Sequence, residues 1–532
     1  MTNSYFDVTT TDRRQFLRMV GIGGATLASI PLLGACGPGS SGDASGASAS
    51  GKPVKGGTLR VVHLSNFSTL DPHAGISGND HVYLYPMFDT LVDFDPKTLE
   101  PKPGLLSSWE YTSPTTLVLK LQKGVKFHDG VSLDADAVKY NLDRALTLPK
   151  SSVAVDLASI DNVQVVADDQ VQLNLKQPDT ALPLILSDRA GMMVSPKAAA
   201  AGSAQFSLAP VGTGPYKFKS AVSGETVEVE RFDGYWQPDT AHLDGIKFSI
   251  ITDPQAAANA MQSGQVDFMI DVDFPDVQKM KNVDGVQVIK SPSLAFQRTP
   301  LRMGREPFSD VRLRKAMNYA IDRDGINAAV LQGLGSASYA EVPPEHWAFP
   351  KSITPTFKHN VKKAKSLLKE AGYSSGLSIE GIVSTGVPQQ IAVAMQSQVA
   401  EAGIDMKVTV VDHTQANEMF REKDIGEAFF SGWSGRPDPY QTYAAHYLSA
   451  SAYVTTYEEP PELQAAFAKT LSSSKIADRK KAFLDLATIG RDNALDLTTV
   501  YVPQIAAKSA KVGGYVPNLY GKPKLSQMWL SS

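Results

Sequence analysis

One cysteine, Cys36, is all that the 532 residues contain. That scarcity removes disulfide frameworks and thiolate metal sites from the body of the protein. Histidine is sparse too: nine are scattered with no i, i+4 pair, so no helix offers two imidazoles to one ion. Neither sign of charge predominates, with 51 Lys plus Arg against 55 Asp plus Glu. A nucleic-acid-binding chain would show a strong basic excess. No apolar run reaches the ~20 strongly hydrophobic residues of a stable membrane span; the charge-free stretch 19–35 has glycine at three of its first six positions. Catalytic strings are missing as well. There is no phosphate loop, no His-Glu-x-x-His and no Gly-x-Ser-x-Gly elbow. Gly212-x-Gly214 runs into Pro215, lacks a third glycine and cannot open the helix that a dinucleotide fingerprint needs. Asp and Glu are plentiful enough for two to meet in a fold, but no motif supports carboxylate-pair catalysis.

The first 36 residues have the three-part layout of an export signal. Arg13-Arg14-Gln15-Phe16-Leu17-Arg18 supplies a cationic front, and 19–35 an apolar middle with small residues at its end. The Arg-Arg-x-Phe-Leu string resembles a twin-arginine signal, and Leu33-Gly34-Ala35-Cys36 resembles a bacterial lipobox. The resemblance implies a signal peptide over 1–35, cut before Cys36, whose sulfur then carries lipid. Several acyl chains tether stably where one binds marginally. The competing reading is an ordinary buried cysteine. Residues 36–55, rich in Gly, Ser and Ala, have too little apolar content to pack and read as a flexible linker.

The remainder, from Gly56 on, exceeds one hydrophobic core and predicts at least two lobes. With 42% apolar and 8% aromatic residues it reads as a water-soluble globular body. Thr58 to Val62 predicts a first strand. Leu117 to Leu121 and Val125 to Phe127 predict a hairpin turning at Gln122-Lys123-Gly124. Ser132 or Asp134 is placed to cap a helix carrying Val138, Leu142 and Ala145 on one face. Strands are expected at 163–166, 171–175 and 216–218, the last after a turn containing Gly212 and Gly214. In the second half, 311–321 predicts an amphipathic helix with Arg312, Arg314 and Lys315 outside, and 361–371 a lysine-rich helix ended by Gly372. A strand at 379–383, a helix at 391–402 and a strand at 406–411 form a crossover unit with parallel pairing. The fold class is α/β, two-lobed, with extra hairpins in the first lobe.

Many strings occur in an order that closely resembles the family 5 extracellular solute-binding proteins, the oligopeptide, dipeptide and nickel receptors of ABC importers. They include Gly56-Gly57-Thr58-Leu59-Arg60, Leu105-Leu106-Ser107-Ser108-Trp109-Glu110, Val125-Lys126-Phe127-His128-Asp129-Gly130 and Pro210-Val211-Gly212-Thr213-Gly214-Pro215-Tyr216. Gly234-Tyr235-Trp236, Pro307-Phe308-Ser309-Asp310-Val311-Arg312 and Leu367-Leu368-Lys369-Glu370-Ala371-Gly372-Tyr373 continue the series. The resemblance implies a periplasmic-binding-protein-like type II fold. Lobe I would span 56–290 with a subdomain inserted at about 71–209, lobe II 291–499, and a return to lobe I 500–532. The implied partners are a small-molecule or peptide-like ligand, a permease and separate ATPase subunits, reached from the outer face of a membrane through lipid on Cys36. No catalytic residue, cofactor, metal or nucleic acid is expected, and the chain is expected to be monomeric. A ligand sensor for a signalling partner and a lipid-anchored hydrolase are the alternative functions.

The string that bears on ligand is Ser431-Gly432-Trp433-Ser434-Gly435-Arg436-Pro437-Asp438-Pro439-Tyr440. In peptide-binding relatives an Asp three residues after this tryptophan pairs with the α-amino group; here the place is taken by Arg436. A guanidinium accepts no hydrogen bond and repels an ammonium, whereas it fits a carboxylate bidentately. Arg436 is therefore expected to meet an anionic group and Trp433 to stack on an apolar part. Asp438 would restore amine recognition or orient Arg436. The alternative makes Arg436 to Pro439 a rigid loop with an internal ion pair and Trp433 a core aromatic. Tyr440, Phe67 and Tyr83 complete the expected ligand set, the last two from regions that line the cleft in relatives.

Overall fold

A computed structural model of the protein describes residues 52–75 and 77–531. The expected signal peptide and the lipid-bearing Cys36 lie outside the described residues. All of the described chain falls within one unit, and it is built on two separate sheets.

The first sheet has seven strands in the order Val286–Ser291, Gln504–Ser509, Phe268–Met269, Thr58–His63, Gly245–Ile250, Thr226–Arg231 and Tyr216–Val222. Thr58–His63 lies parallel to both of its neighbours, with Leu59 and Val61 fully buried. Around it gather Tyr83, Tyr216, Phe248 and Phe268, all without exposure. The second sheet has six strands in the order Ser336–Ala337, Thr498–Tyr501, Phe296–Arg298, Ala428–Trp433, Leu377–Ser384 and Ile404–Val411. Leu377–Ser384 and Ile404–Val411 pair in parallel over their whole length, Leu377 opposite Ile404 and Ser384 opposite Val411. The crossover helix between them, Val387–Ala402, stops at Gly403 with φ +93°. There glycine adopts a left-handed conformation without steric cost.

A four-stranded antiparallel sheet joins the first lobe, in the order Leu106–Ser113, Thr116–Leu121, Gln170–Leu175 and Ile160–Ala167. Period-two alternation sets its buried face: Leu117, Leu119 and Leu121 on one strand meet Val171 and Leu173 on the next. The helix Ala135–Thr147 covers that face, capped by Asp134, whose side chain accepts from the Ala137 N–H at 2.9 Å.

Two sequence expectations are corrected here. The hairpin partner of Thr116–Leu121 is Leu106–Ser113, not 125–127. Val125 to Phe127 instead folds back on Val131 to Leu133 around Gly130, with Phe127 N–H bonded to Val131 O and Leu133 N–H to Val125 O. Val125 and Phe127 are apolar enough for a strand, but they fill the subdomain core as single buried residues. Arg314 is buried rather than outside. It donates to the carbonyls of Phe308, Ser309 and Asn493, so a charged residue in an amphipathic pattern serves here to satisfy buried chain ends.

The chain passes between the two main sheets twice, from Ser291 to Phe296 and from Tyr501 to Gln504. The passages run side by side: Val502 N–H donates to Ala295 O at 2.8 Å, and Ser293 Oγ to Val502 O at 2.7 Å. The two short passages form one hydrogen-bonded strip joining the lobes.

Candidate ligand cleft

Where the two lobes face each other beside this strip, a cavity of about 630 Å³ opens. Ala295 and Val502 of the passages form part of its wall. The second lobe contributes Gln297, His413, Trp433, Arg436 and Tyr453; the first contributes His81, Asp188, Arg189, Tyr520 and Lys522.

Trp433 ends the strand Ala428–Trp433, at the carboxyl edge of its parallel pairing with Leu377–Ser384, the edge where open α/β sheets present ligand sites. The chain then turns at Gly435, φ +81°, where a Cβ would stand 2.3 Å from Leu294 Cβ. Only glycine allows the loop to lie against the passage segment so closely. Asp438 then caps the helix Pro439–Tyr447, accepting from Tyr440 N–H at 2.9 Å. The loop is thus fixed at both ends with Arg436 between them.

Arg436 lies with its guanidinium carbon 4.7 Å from the Trp433 ring centroid, and its Nη1 donates to Gly435 O at 2.8 Å. Among the described residues no carboxylate forms an ion pair with it. Trp433, 7% exposed, gives its face to this cation and its Nε1–H to Thr442 Oγ1, with His446 and Tyr453 edge-on. It lines the cavity chiefly as the platform that positions Arg436.

Asp438 is not in the cleft. It has no exposure, and both of its oxygens accept from Arg479 at 2.8 Å. It neither orients Arg436 nor is free for an amine, and the internal Arg436–Asp438 ion pair of the alternative reading does not form. Tyr440 also turns away, with its ring edge-on to Phe467. In the first lobe Tyr83 is wholly buried, donating to Ser65 O at 2.7 Å, and the half-buried Phe67 packs edge-on against it. Of the six expected ligand residues, the structure brings Trp433 and Arg436 to the cavity and leaves Asp438, Tyr440, Phe67 and Tyr83 out of its wall.

Asp188 is the one carboxylate on that wall among the described residues. Its Oδ1 lies 2.5 Å from His81 Nε2 and its Oδ2 accepts from Tyr520 at 2.7 Å. Burial opposes its charge, but His81, Arg189 and Tyr520 outweigh burial and hold it well below the ordinary carboxylate range. Lys522 sits in a turn closed by Asn518, whose Nδ2 donates to Lys522 O at 2.7 Å and whose carbonyl accepts from Gly521 N–H at 2.9 Å. Burial, and then the Arg436 charge, bring its ammonium down to about 8. Sequence reading missed Asp188, Arg189, Tyr520 and Lys522; the one local signal was the Asn518, Gly521 turn chemistry, which says nothing of a cleft. Among the described residues no three His, Cys, Asp or Glu converge as a metal set, and no helix is long and apolar enough to cross a membrane.

The lobes touch at the cleft's margins. Gln441 Nε2 donates to Asp156 Oδ1 at 2.7 Å, and Thr180 N–H bonds Leu471 O at 3.3 Å.

Residues 100–454 match the family model of bacterial extracellular solute-binding proteins, family 5. The chain belongs to this family. Among curated relatives of this family 5 protein, the glutathione-binding protein GsiB of Pectobacterium atrosepticum is 29% identical over 443 residues, 79% of this chain and 84% of that one. The glutathione-binding protein GsiB of Escherichia coli K12 is 30% identical over 378 residues, 70% of this chain and 73% of the relative. Solved structures share the two-lobed fold. The periplasmic binding protein DppA of Helicobacter pylori, in complex with the peptide STSA, superposes with TM-score 0.79 at 23% identity, covering 90% of this chain and 99% of that one. AgaA of A. tumefaciens R10, in complex with agropinic acid, gives 0.78 at 24% identity over 90% and 99%.

Proposed function

We propose that this family 5 protein is the solute receptor of an ABC importer, capturing a peptide-like solute that bears a carboxylate and changing nothing covalent in it. The carrying observation is Arg436: a cation fixed on an aromatic platform at an interlobe cavity, in no ion pair among the described residues. A carboxylate completes it with charge-assisted, bidentate hydrogen bonds. Glutathione, named for the curated relatives, is such a solute. The STSA peptide and agropinic acid, named for structural neighbours, fall in the same broad class of carboxylate-bearing solutes.

In this reading 56–290 with 500–532, and 291–499, act as two bodies that bend about the paired passages. The loaded shape is handed to a permease powered by separate ATPase subunits. Residues 1–35 direct export by the twin-arginine route, and Cys36 carries the lipid that keeps the receptor at the outer face of the membrane.

Arg436→Ala is expected to leave Tm unchanged and weaken binding of reduced glutathione at least tenfold, about 1.4 kcal/mol, by isothermal titration calorimetry. Unchanged affinity would remove Arg436 from the site, and no binding of any carboxylate-bearing peptide would remove the reading. Cys36→Ser is expected to move the protein from membrane to soluble fraction in its host; continued sedimentation with membranes would refute the anchor.

A further inference from the structure

The cavity wall carries three cations, Arg189, Arg436 and Lys522, against one carboxylate, Asp188, whose two oxygens are already engaged by His81 and Tyr520. Arg189 is partly satisfied within its own lobe: it donates to Gly75 O and lies 3.9 Å from Asp80. Arg436 has one backbone acceptor, Gly435 O, and among the described residues neither it nor Lys522 forms an ion pair. Among the described residues Lys522 Nζ has neither an ion pair nor a hydrogen bond, and its one ring neighbour is Tyr520 at 5.8 Å.

Lys522 reaches the cavity through a gap that glycine keeps open. A Cβ on Gly78 would stand 2.8 Å from Lys522 Nζ and 3.4 Å from Ser434 Oγ of the opposite lobe. The two cations come from different lobes, and Arg436 disfavours the charge of Lys522. Among the described residues an ammonium-bearing ligand end finds no free carboxylate on this wall, whereas anionic groups find two cations outside any ion pair.

Resting on the receptor reading above, we propose that the cleft selects solutes carrying two carboxylates, one met by Arg436 from the second lobe and the other by Lys522 from the first, making Lys522 a specificity-determining residue. A solute with both charges relieves the repulsion between the cations and ties the lobes to each other through itself. A monocarboxylate leaves one cation uncompensated in a low-dielectric cleft, and discrimination then rests on the missing partner as much as on the one present.

The test uses S-methylglutathione, which has carboxylates on its glycine and its γ-glutamyl α-carbon, together with its two mono-amides. Titrations are run on the wild-type receptor, Lys522→Met and Arg436→Met, with Tm as the check on folding. The wild type is expected to bind the diacid at least tenfold more tightly than either mono-amide. In Lys522→Met the preference over one mono-amide should fall to within about twofold while the other persists; Arg436→Met should show the converse. If Lys522→Met keeps both preferences, or the wild type binds acid and amides alike, the dicarboxylate inference is overturned while the receptor reading stands. If the wild type binds neither these compounds nor any other carboxylate-bearing peptide, the receptor reading falls and this inference with it.

Discussion

Arg436 and Asp438 stand two positions apart and have opposite fates because of what each meets. Asp438 is removed from water and matched by the two-pronged guanidinium of Arg479, an arrangement whose breakage typically costs about 3–5 kcal/mol. It therefore fixes the loop, and Arg436, in no ion pair among the described residues, is left on the cavity wall. Glu341 shows the same physics with a poorer partner. It is buried, accepts from Tyr447 Oη at 2.6 Å, and is pushed up to about 7 by burial and then by Asp496, from an ordinary value of 4.5. Between those two pH values the folded chain keeps a proton that the unfolded chain has lost. Its stabilising contribution is therefore complete below 4.5 and is lost as pH rises through 7. Glu341→Gln stays neutral throughout. Its Tm relative to wild type is expected to rise between pH 5 and pH 8, by an amount corresponding to roughly 2 kcal/mol. A pH-independent difference would show that Glu341 does not titrate there.

Elements were legible where one local rule decided them. The alternation in Gln170–Leu175 left little choice, the cap was narrowed to Ser132 or Asp134 and is Asp134, and the parallel unit from Leu377 to Val411 followed from its spacing. The 117–127 hairpin failed because a turn signal at Gly124 is local, whereas strand partners are chosen by the core, which pairs Thr116–Leu121 on both edges with other strands. Gly212 and Gly214 illustrate the converse, a motif whose reason is tertiary. His128 N–H donates to Gly212 O, and Gly214 N–H to Met87 O at 2.9 Å. A Cβ at 212 would sit 2.1 Å from Met87 O, and one at 214 2.5 Å from Pro86 O. Both obstructions are backbone and cannot rotate away. Gly212→Ala is expected to destabilise by about 1–3 kcal/mol in chemical denaturation. Gly224→Ala, at φ +77° with nothing within 4 Å of the added carbon, provides the comparison for backbone strain alone, about 1 kcal/mol. Equal losses at the two positions would rule out crowding against Met87.

For the whole molecule, the cleft is assembled from segments far apart in the chain. Tyr520 bonds Asp188 across 332 positions and Gln441 bonds Asp156 across 285. No periodicity links such residues. Arg436 was legible because a family motif marks its place, whereas Lys522 arrives only when the chain returns to the first lobe. The margin contact between Gln441 and Asp156 has an energetic consequence for this geometry. Asp156 is disfavoured as a charge by burial and relieved by Arg436 and the Gln441 bond. Removing the amide leaves a carboxylate pressed against the opposite lobe without that donor, a penalty of about 1–3 kcal/mol that applies only while the lobes touch. A cost confined to the closed arrangement raises the rate of opening and leaves encounter with solute unaffected. On the receptor reading proposed above, Gln441→Ala is therefore expected to speed release of bound glutathione about tenfold in stopped-flow fluorescence, with the association rate unchanged. Slower association at an unchanged release rate would mean that the Gln441–Asp156 bond does not hold the loaded lobes together.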